Sequence, residues 1–211
     1  MSLVKYNDRS LRNLTTAPAS VTSSPGALVH IKTLTASSSS TLSFVNGSDD
    51  VVFDSTYPIY LFKYFNCHPA TDGAEFQFNG RDGSTAYDAT KTSSIMASFV
   101  GEAGNSGDHN LNYDTAQDLA EGTGFQTLAV NVGNDNDQTA SGELMIFNPS
   151  STTFVKHFTA IGNSHHNEGA IQVFYVGGYF NVTAAIDAIQ FKFHSGNIDA
   201  GTIKLYGIKD S

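Results

Sequence analysis

Three short stretches of this 211-residue chain gather side chains able to do chemistry. GNDNDQ, residues 133–138, alternates Asp135 and Asp137 with Asn134 and Asn136. Alternating oxygen ligands of this kind form part of a calcium loop. A complete EF-hand loop also needs a Gly after the third ligand and a closing Glu, and neither is present. An Asx-rich turn between strands is the favoured reading, with Asp135 and Asp137 kept as calcium candidates. His165-His166, followed by Glu168, suggests a metal or an acid–base pair. Neighbouring side chains on an extended segment point to opposite sides, so two adjacent His do not readily chelate one ion. A surface loop carrying two imidazoles is the simpler expectation. Cys67 is the single cysteine, so no intramolecular disulfide can form. No local signature of a catalytic cysteine surrounds it, and a buried, inert thiol is expected.

Other catalytic patterns are missing. There is no GxSxG elbow, no GxxxxGK[ST] phosphate loop and no HExxH zinc helix. His68, His109, His157 and His194 are far apart in sequence. Asn181-Val182-Thr183 matches a glycosylation acceptor but closes an apolar strand, so the match is read as chance. An acid pair for glycoside hydrolysis would have to come from separate strands, and none is legible. The chain is expected not to be an enzyme, with no catalytic residue, no cofactor and no metal beyond the calcium candidates.

The elements that would position these residues have a period of two. VHIKTLT (29–35) and TLSFV (41–45) read as strands flanking a Ser-rich turn. IYLFKYFNCH (59–68) is apolar on both faces up to Asn66, as in a central strand covered on both sides. AEFQFNG (74–80) alternates Phe76 and Phe78 with Glu75, Gln77 and Asn79. SIMASFV (94–100) and FQTLAVNV (125–132) are further strands. Residues 101–110 read as a long polar loop. DTAQDLAEG (114–122) predicts one short helix, capped by Asp114 and ended by Gly122. ELMIFNPSSTTFVKHFTAI (143–161) predicts a hairpin broken at Asn148-Pro149. GNSHHNEG (162–169) reads as a polar loop, and IQVFYVGGYFNV (171–182) as a long strand with a bulge at Gly177-Gly178. IQFKFHSGNIDAGTIKLYGI (189–208) predicts a closing hairpin. About ten short strands with almost no helix imply an all-β fold. The expected architecture is a single antiparallel β-sandwich over residues 27–211, jelly-roll-like, with at most one or two short helices.

Charge divides the chain unevenly. Residues 1–26 carry Lys5, Arg9 and Arg12 against Asp8 alone, a net of +2 within a total of −9. The rest of the chain therefore holds −11. This basic opening runs into the Pro/Ser/Thr stretch TTAPASVTSSPG and is expected to be an extended N-terminal arm. It reads either as a frayed terminus or as an arm that docks on an acidic surface. An acidic chain repels phosphate backbones, so no nucleic-acid partner is expected. No apolar run reaches membrane-spanning length, so no membrane insertion is expected either. MSLVKYNDRSLRNL lacks the apolar centre of a secretory signal, which implies synthesis in the cytoplasm.

Several strings carry a family resemblance. KYNDRSL, LTASSSSTLSF, FNCHPATDGAEFQFNG, GFQTLAVNVGNDNDQTASGELMIFNPSSTTFVKHF and GGYFNVTAAIDAIQFKFHSGNIDAGTIKLYGI resemble a group of bacteriophage virion proteins abundant among phages of marine bacteria. The resemblance spans nearly the whole chain and rests on structural segments, not catalytic motifs. It implies a virion surface component, a fibre, spike or capsid-decoration module on a jelly-roll-like sandwich. It also implies synthesis in the host cytoplasm and a homo-oligomer, with a trimer expected. About 26 residues at ~3.3 Å each are too few for a fibre shaft. A capsid decoration or short head-fibre role is therefore expected, with a tail-fibre or spike module binding a receptor or host surface glycan as the alternative. In that picture the arm docks on other virion proteins, of the capsid or tail connector, through Lys5, Tyr6, Arg9, Leu11 and Arg12. The loops at 101–113 and 162–169 are where a glycan would be met.

Overall fold

The computed structural model of the chain describes residues 27–104 and 109–210. Every regular element among them is a strand. In chain order these are β1 (Leu28–Ser39), β2 (Leu42–Val45), β3 (Ile59–Pro69), β4 (Ala74–Arg81), β5 (Lys91–Gly101), β6 (His109–Tyr113), β7 (Leu119–Gly122), β8 (Gln126–Val132), β9 (Ala140–Phe147), β10 (Lys156–His166), β11 (Ala170–Phe180), β12 (Ala188–Phe193) and β13 (Ile198–Ile208). All pairings are antiparallel, within one nearly closed thirteen-stranded sheet.

β8 meets β10 at the single residue pair Val132 and His166. That narrow junction separates two runs of strands. One runs β1-β13-β3-β9-β10-β11-β5, with β6 and β7 both paired to the far side of β5. The other runs β2-β12-β4-β8. Alternation sets which side chains turn inward. Along β10, Phe158, Ala160, Gly162 and Ser164 are buried or face inward while His157, Thr159, Ile161 and Asn163 are exposed. The inner faces of the two runs meet in a core rich in phenylalanine. Phe191 of β12 lies at its centre, with ring centroids 5.4 Å from Phe62, 6.0 Å from Phe76, 6.3 Å from Phe44 and 6.4 Å from Phe78. Phe78 in turn meets Phe158 at 5.2 Å and Phe180 at 6.2 Å. These contacts, edge-on or tilted except for the stacked pair Phe76 and Phe191, join β2, β3, β4, β10, β11 and β12, and such pairs add about 0.5–1.5 kcal/mol each beyond their buried area.

Several expected elements are corrected. The segment 189–208 is not a hairpin: β12 pairs with β4 and β2, whereas β13 pairs with β1 and β3. The link at residues 194–197 crosses from one run to the other. Glu75 N–H donates to His194 Nδ1 at 2.8 Å on one side, and Asn197 Nδ2 donates to Ser38 O at 2.9 Å on the other. β1 and β2 part in the same way, so the link after Ser39 is a crossing too. The helix expected over 114–122 is absent. Asp114 O accepts from Gln117 N to close a turn, and β7 then pairs with β5. Its residues are held there because Asp118 Oδ1 accepts the Ile95 N–H at 3.0 Å. The segment 162–169 is not a loop, since β10 continues to His166 and only residues 167–169 turn. Gly177-Gly178 is not a bulge. The register passes through both without a shift. Gly178 is required for closeness instead, because a Cβ there would lie 2.7 Å from Phe158 Cζ. β3 is central, but its outer face is only partly covered: Leu61 is buried and Phe65 is exposed.

Uniform antiparallel pairing gathers the strand ends at two poles. At the first, Leu28 pairs with Ile208 and Ile59 with Phe147, and Lys209 N–H donates to Ala27 O at 2.8 Å. The chain thus enters and leaves the described fold side by side. At the second pole lie the links at residues 70–73, 133–139, 167–169 and 194–197.

Candidate functional site

Most of the residues singled out by sequence are carried at the second pole. Asp135 and Asp137 are exposed in the β8–β9 turn. That turn closes on itself: Gln138 N–H donates to Asp135 O at 2.8 Å, and Gln138 Oε1 accepts from Asp135 N at 3.2 Å. His68 Nε2 donates to the same Asp135 carbonyl at 3.1 Å. Asp72, from the β3–β4 turn, accepts from Asn134 N and from Asn167 Nδ2, each at 3.3 Å. The Asx residues therefore lash three turns together. Asp137 borders an open depression of about 470 Å³ with Asn66, His68, Asn136 and Asp199. Among the described residues, no three His, Cys, Asp or Glu side chains come together as a metal-holding group.

His165 and His166 point to opposite sides of β10. His165 faces out and its Nε2 lies 2.9 Å from Glu102 Oε1. His166 faces in, edge-on to Phe99 at 5.5 Å. Burial holds its pKa below the usual imidazole value, and the Glu168 N–H donates to its Nδ1 at 3.0 Å. An acceptor Nδ1 places the proton of the neutral ring on Nε2. Glu168 thus meets His166 through its backbone. His157 stands at the first pole against Tyr179, apart from His68, His165 and His194. Cys67 is fully buried, and burial pushes its thiol up to about 12, so it carries no thiolate at neutral pH.

Two buried lysines had no warning in the sequence. Lys91 donates to Asn79 Oδ1 at 2.6 Å and to Ala89 O at 2.8 Å, and burial pushes its pKa down to about 7. Asn79 Nδ2 donates onward to Tyr87 O at 2.7 Å and Thr123 O at 2.9 Å. Lys156 donates to Val182 O at 2.8 Å, and burial lowers its pKa as well. Both lysines sit where strands meet the first-pole loops and pin those loops to the sheet. Lys at a strand end ordinarily reads as solvent-facing, so nothing marked them.

The first pole also holds a cleft of about 610 Å³, bounded by Pro58, Phe147, Asn148, Phe154, His157 and Asp210. Phe154 is 73% exposed beside it. An aromatic residue in the polar stretch SSTTF was the available signal. The arm residues Lys5, Tyr6, Arg9, Leu11 and Arg12 lie outside the described residues, as does 105–108 of the expected recognition loop.

No protein-family model matches the chain, and no curated protein or solved structure shows significant similarity to it.

Proposed function

We propose that the chain is a bacteriophage virion structural protein, a capsid decoration or short head-fibre protein. In this reading it attaches through the pole where Ala27 and Lys209 meet and projects the second pole outward. The family resemblance of its strand segments supports this reading, and so does the strand order. The neighbours β1-β13-β3-β9 and β2-β12-β4-β8 follow the order of an eight-stranded jelly roll, two four-stranded layers of a sandwich. β10, β11, β5, β6 and β7 then widen one layer. The inner faces are filled by interlocked rings, which leaves the surface, not an interior cleft, as the working part.

The observation that carries the proposal is the 2.8 Å bond from Lys209 N to Ala27 O. It places the point where residues 1–26 join the fold on the same pole as exposed Phe154. A basic arm with Lys5, Arg9 and Arg12, and apolar Leu3, Val4, Tyr6, Leu11 and Leu14, would pair with acidic and apolar groups of a capsid or connector protein. Phe154 would add apolar contact at the base. Mass spectrometry of purified particles tests presence, and deletion of residues 2–20 tests attachment. The protein is expected on particles, and the deletion is expected to remove it while the isolated domain stays folded. Unchanged incorporation of the deletion variant contradicts the docking role.

A further inference from the structure

The outer face of β10, β11, β5 and β6 is uncharged and uncovered, and an apolar row crosses it among Ser, Thr and Asn side chains. Register lines up Ile161, Tyr175, Met96 and Tyr113 as one outward row across the four strands. Each of these side chains is about half exposed. Leu111, in the next row, is 76% exposed. No Asp, Glu, Lys or Arg stands at an outward position on these four strands. That is unusual for a chain with a net charge of −9. At the borders of this face Glu143 lies 3.3 Å from Lys63, Glu102 lies 2.9 Å from His165, and the Asp118 carboxylate accepts from the Tyr113 hydroxyl.

We infer that this face binds a second copy of the same chain, in a two-fold dimer. This inference does not depend on the virion reading. Charge permits a like partner here, because two strongly acidic molecules can approach only through faces that carry no acidic side chain. Size is sufficient. Four strands at ~4.8 Å spacing over seven residues at ~3.4 Å cover roughly 450 Å² in plan. Side-chain relief brings the buried area to about 1,000 Å² over both copies, the lower bound for a specific interface.

The row is also complementary to itself. A two-fold axis between Tyr175 and Met96, which are register partners, lays the row on its own reverse. Tyr175 of each copy then meets Met96 of the other, a sulfur–aromatic contact, and Ile161 meets Tyr113. The row beside it is small, with Thr159, Gly177 and Ser94 in register. Together with the first row these residues shape a shallow groove of about 490 Å³. That axis runs parallel to the strands, so it sets Leu111 of each copy over Asn163 of the other, the two residues being in one register row. The rows then meet as in face-to-face packing of two sheets.

Sedimentation equilibrium of the full chain from about 1 to 100 µM tests the pairing. The expected mass is twice 22.5 kDa. Tyr175→Glu and Met96→Glu, at half-exposed positions, are expected to weaken association at least ~30-fold, the effect of losing an interface hot spot. Unchanged circular dichroism and melting would show that each variant still folds. Lys204→Glu, on the outer face of β13, should leave the dimer intact. As a second readout, Met96→Cys should be cross-linked between copies by a short bismaleimide, with the buried Cys67 silent. A monomer at 100 µM, a trimer, or a dimer indifferent to both glutamate variants overturns the inference.

Discussion

Tyr64 of β3 lies across Gly142 of β9 and Gly162 of β10, its ring filling the space that two side chains would otherwise take. A Cβ on either glycine would collide with the Tyr64 hydroxyl, and one on Gly142 would also stand 2.6 Å from Gly162 Cα. The hydroxyl itself is buried without a hydrogen-bond partner. Filling such a site forces strands apart, at about 1–3 kcal/mol. Gly142→Ala and Gly162→Ala should each lower the urea unfolding free energy by that amount. Tyr64→Phe removes an unpaired buried hydroxyl and should be neutral or stabilising by up to about 1 kcal/mol. Alanine variants as stable as the parent, or a strongly destabilised Phe variant, would contradict the packing.

Lys91 should make stability depend on alkaline pH. Its folded-state pKa is pushed from 10.5 to about 7 by burial. Between these values the unfolded chain binds a proton that the folded chain does not. Stability therefore rises with pH across this window, by at most about 1.4 kcal/mol per pH unit. Below pH 7 both states are protonated and this contribution is flat. Lys91→Met should reduce the slope measured by urea unfolding from pH 7.5 to 9.5. Part of the slope will remain, since the pKa of Lys156 is lowered for the same reason. A slope identical in parent and variant would show that Lys91 is charged in the folded state.

The period of the strands was legible, and so was the hairpin over 143–161, where β9 pairs with β10, but the other partners were not. Phe76 and Phe78, or Ile189, Phe191 and Phe193, announce an inward face by alternation alone. Yet Phe191 and Ile203 alternate in the same way whether their strands pair with each other or belong to different runs of the sheet. The choice is made by distant groups such as Glu75, which holds His194, and Ser38, which holds Asn197. The false helix at 114–122 has a like cause. Asp114 and Gly122 fit helix ends, but Asp118 is drawn to the Ile95 amide across the sheet. Of the candidate sites, the buried thiol of Cys67 and the opposed directions of His165 and His166 followed from local rules. The buried lysines and the apolar outer face depend on which strands lie beside them.

Phe191 should be the costliest single ring to remove. It is fully buried and contacts four other rings in β2, β3 and β4. Large-to-small changes at such sites cost about 3–5 kcal/mol. Phe191→Ala should lose stability in that range by denaturant unfolding. Phe154→Ala, at an exposed site, should change it by less than about 0.5 kcal/mol. Equal effects would contradict the assignment of the core.

Cys67 should resist modification while the protein is folded. With its thiol buried and its pKa pushed up to about 12, an aromatic disulfide reagent at pH 8 should react only through unfolding. One equivalent should then react at once in denaturant. Rapid reaction of the native protein would place the thiol at the surface.

The most direct measurement for the attachment model is an electron-microscopy map of intact particles that carry the chain. The account predicts a β-rich density on the particle surface. The pole bearing Ala27, Lys209 and Phe154 should face inward, and the turns at 133–139 and 167–169 should face solvent. A density with the opposite pole against the particle would contradict it.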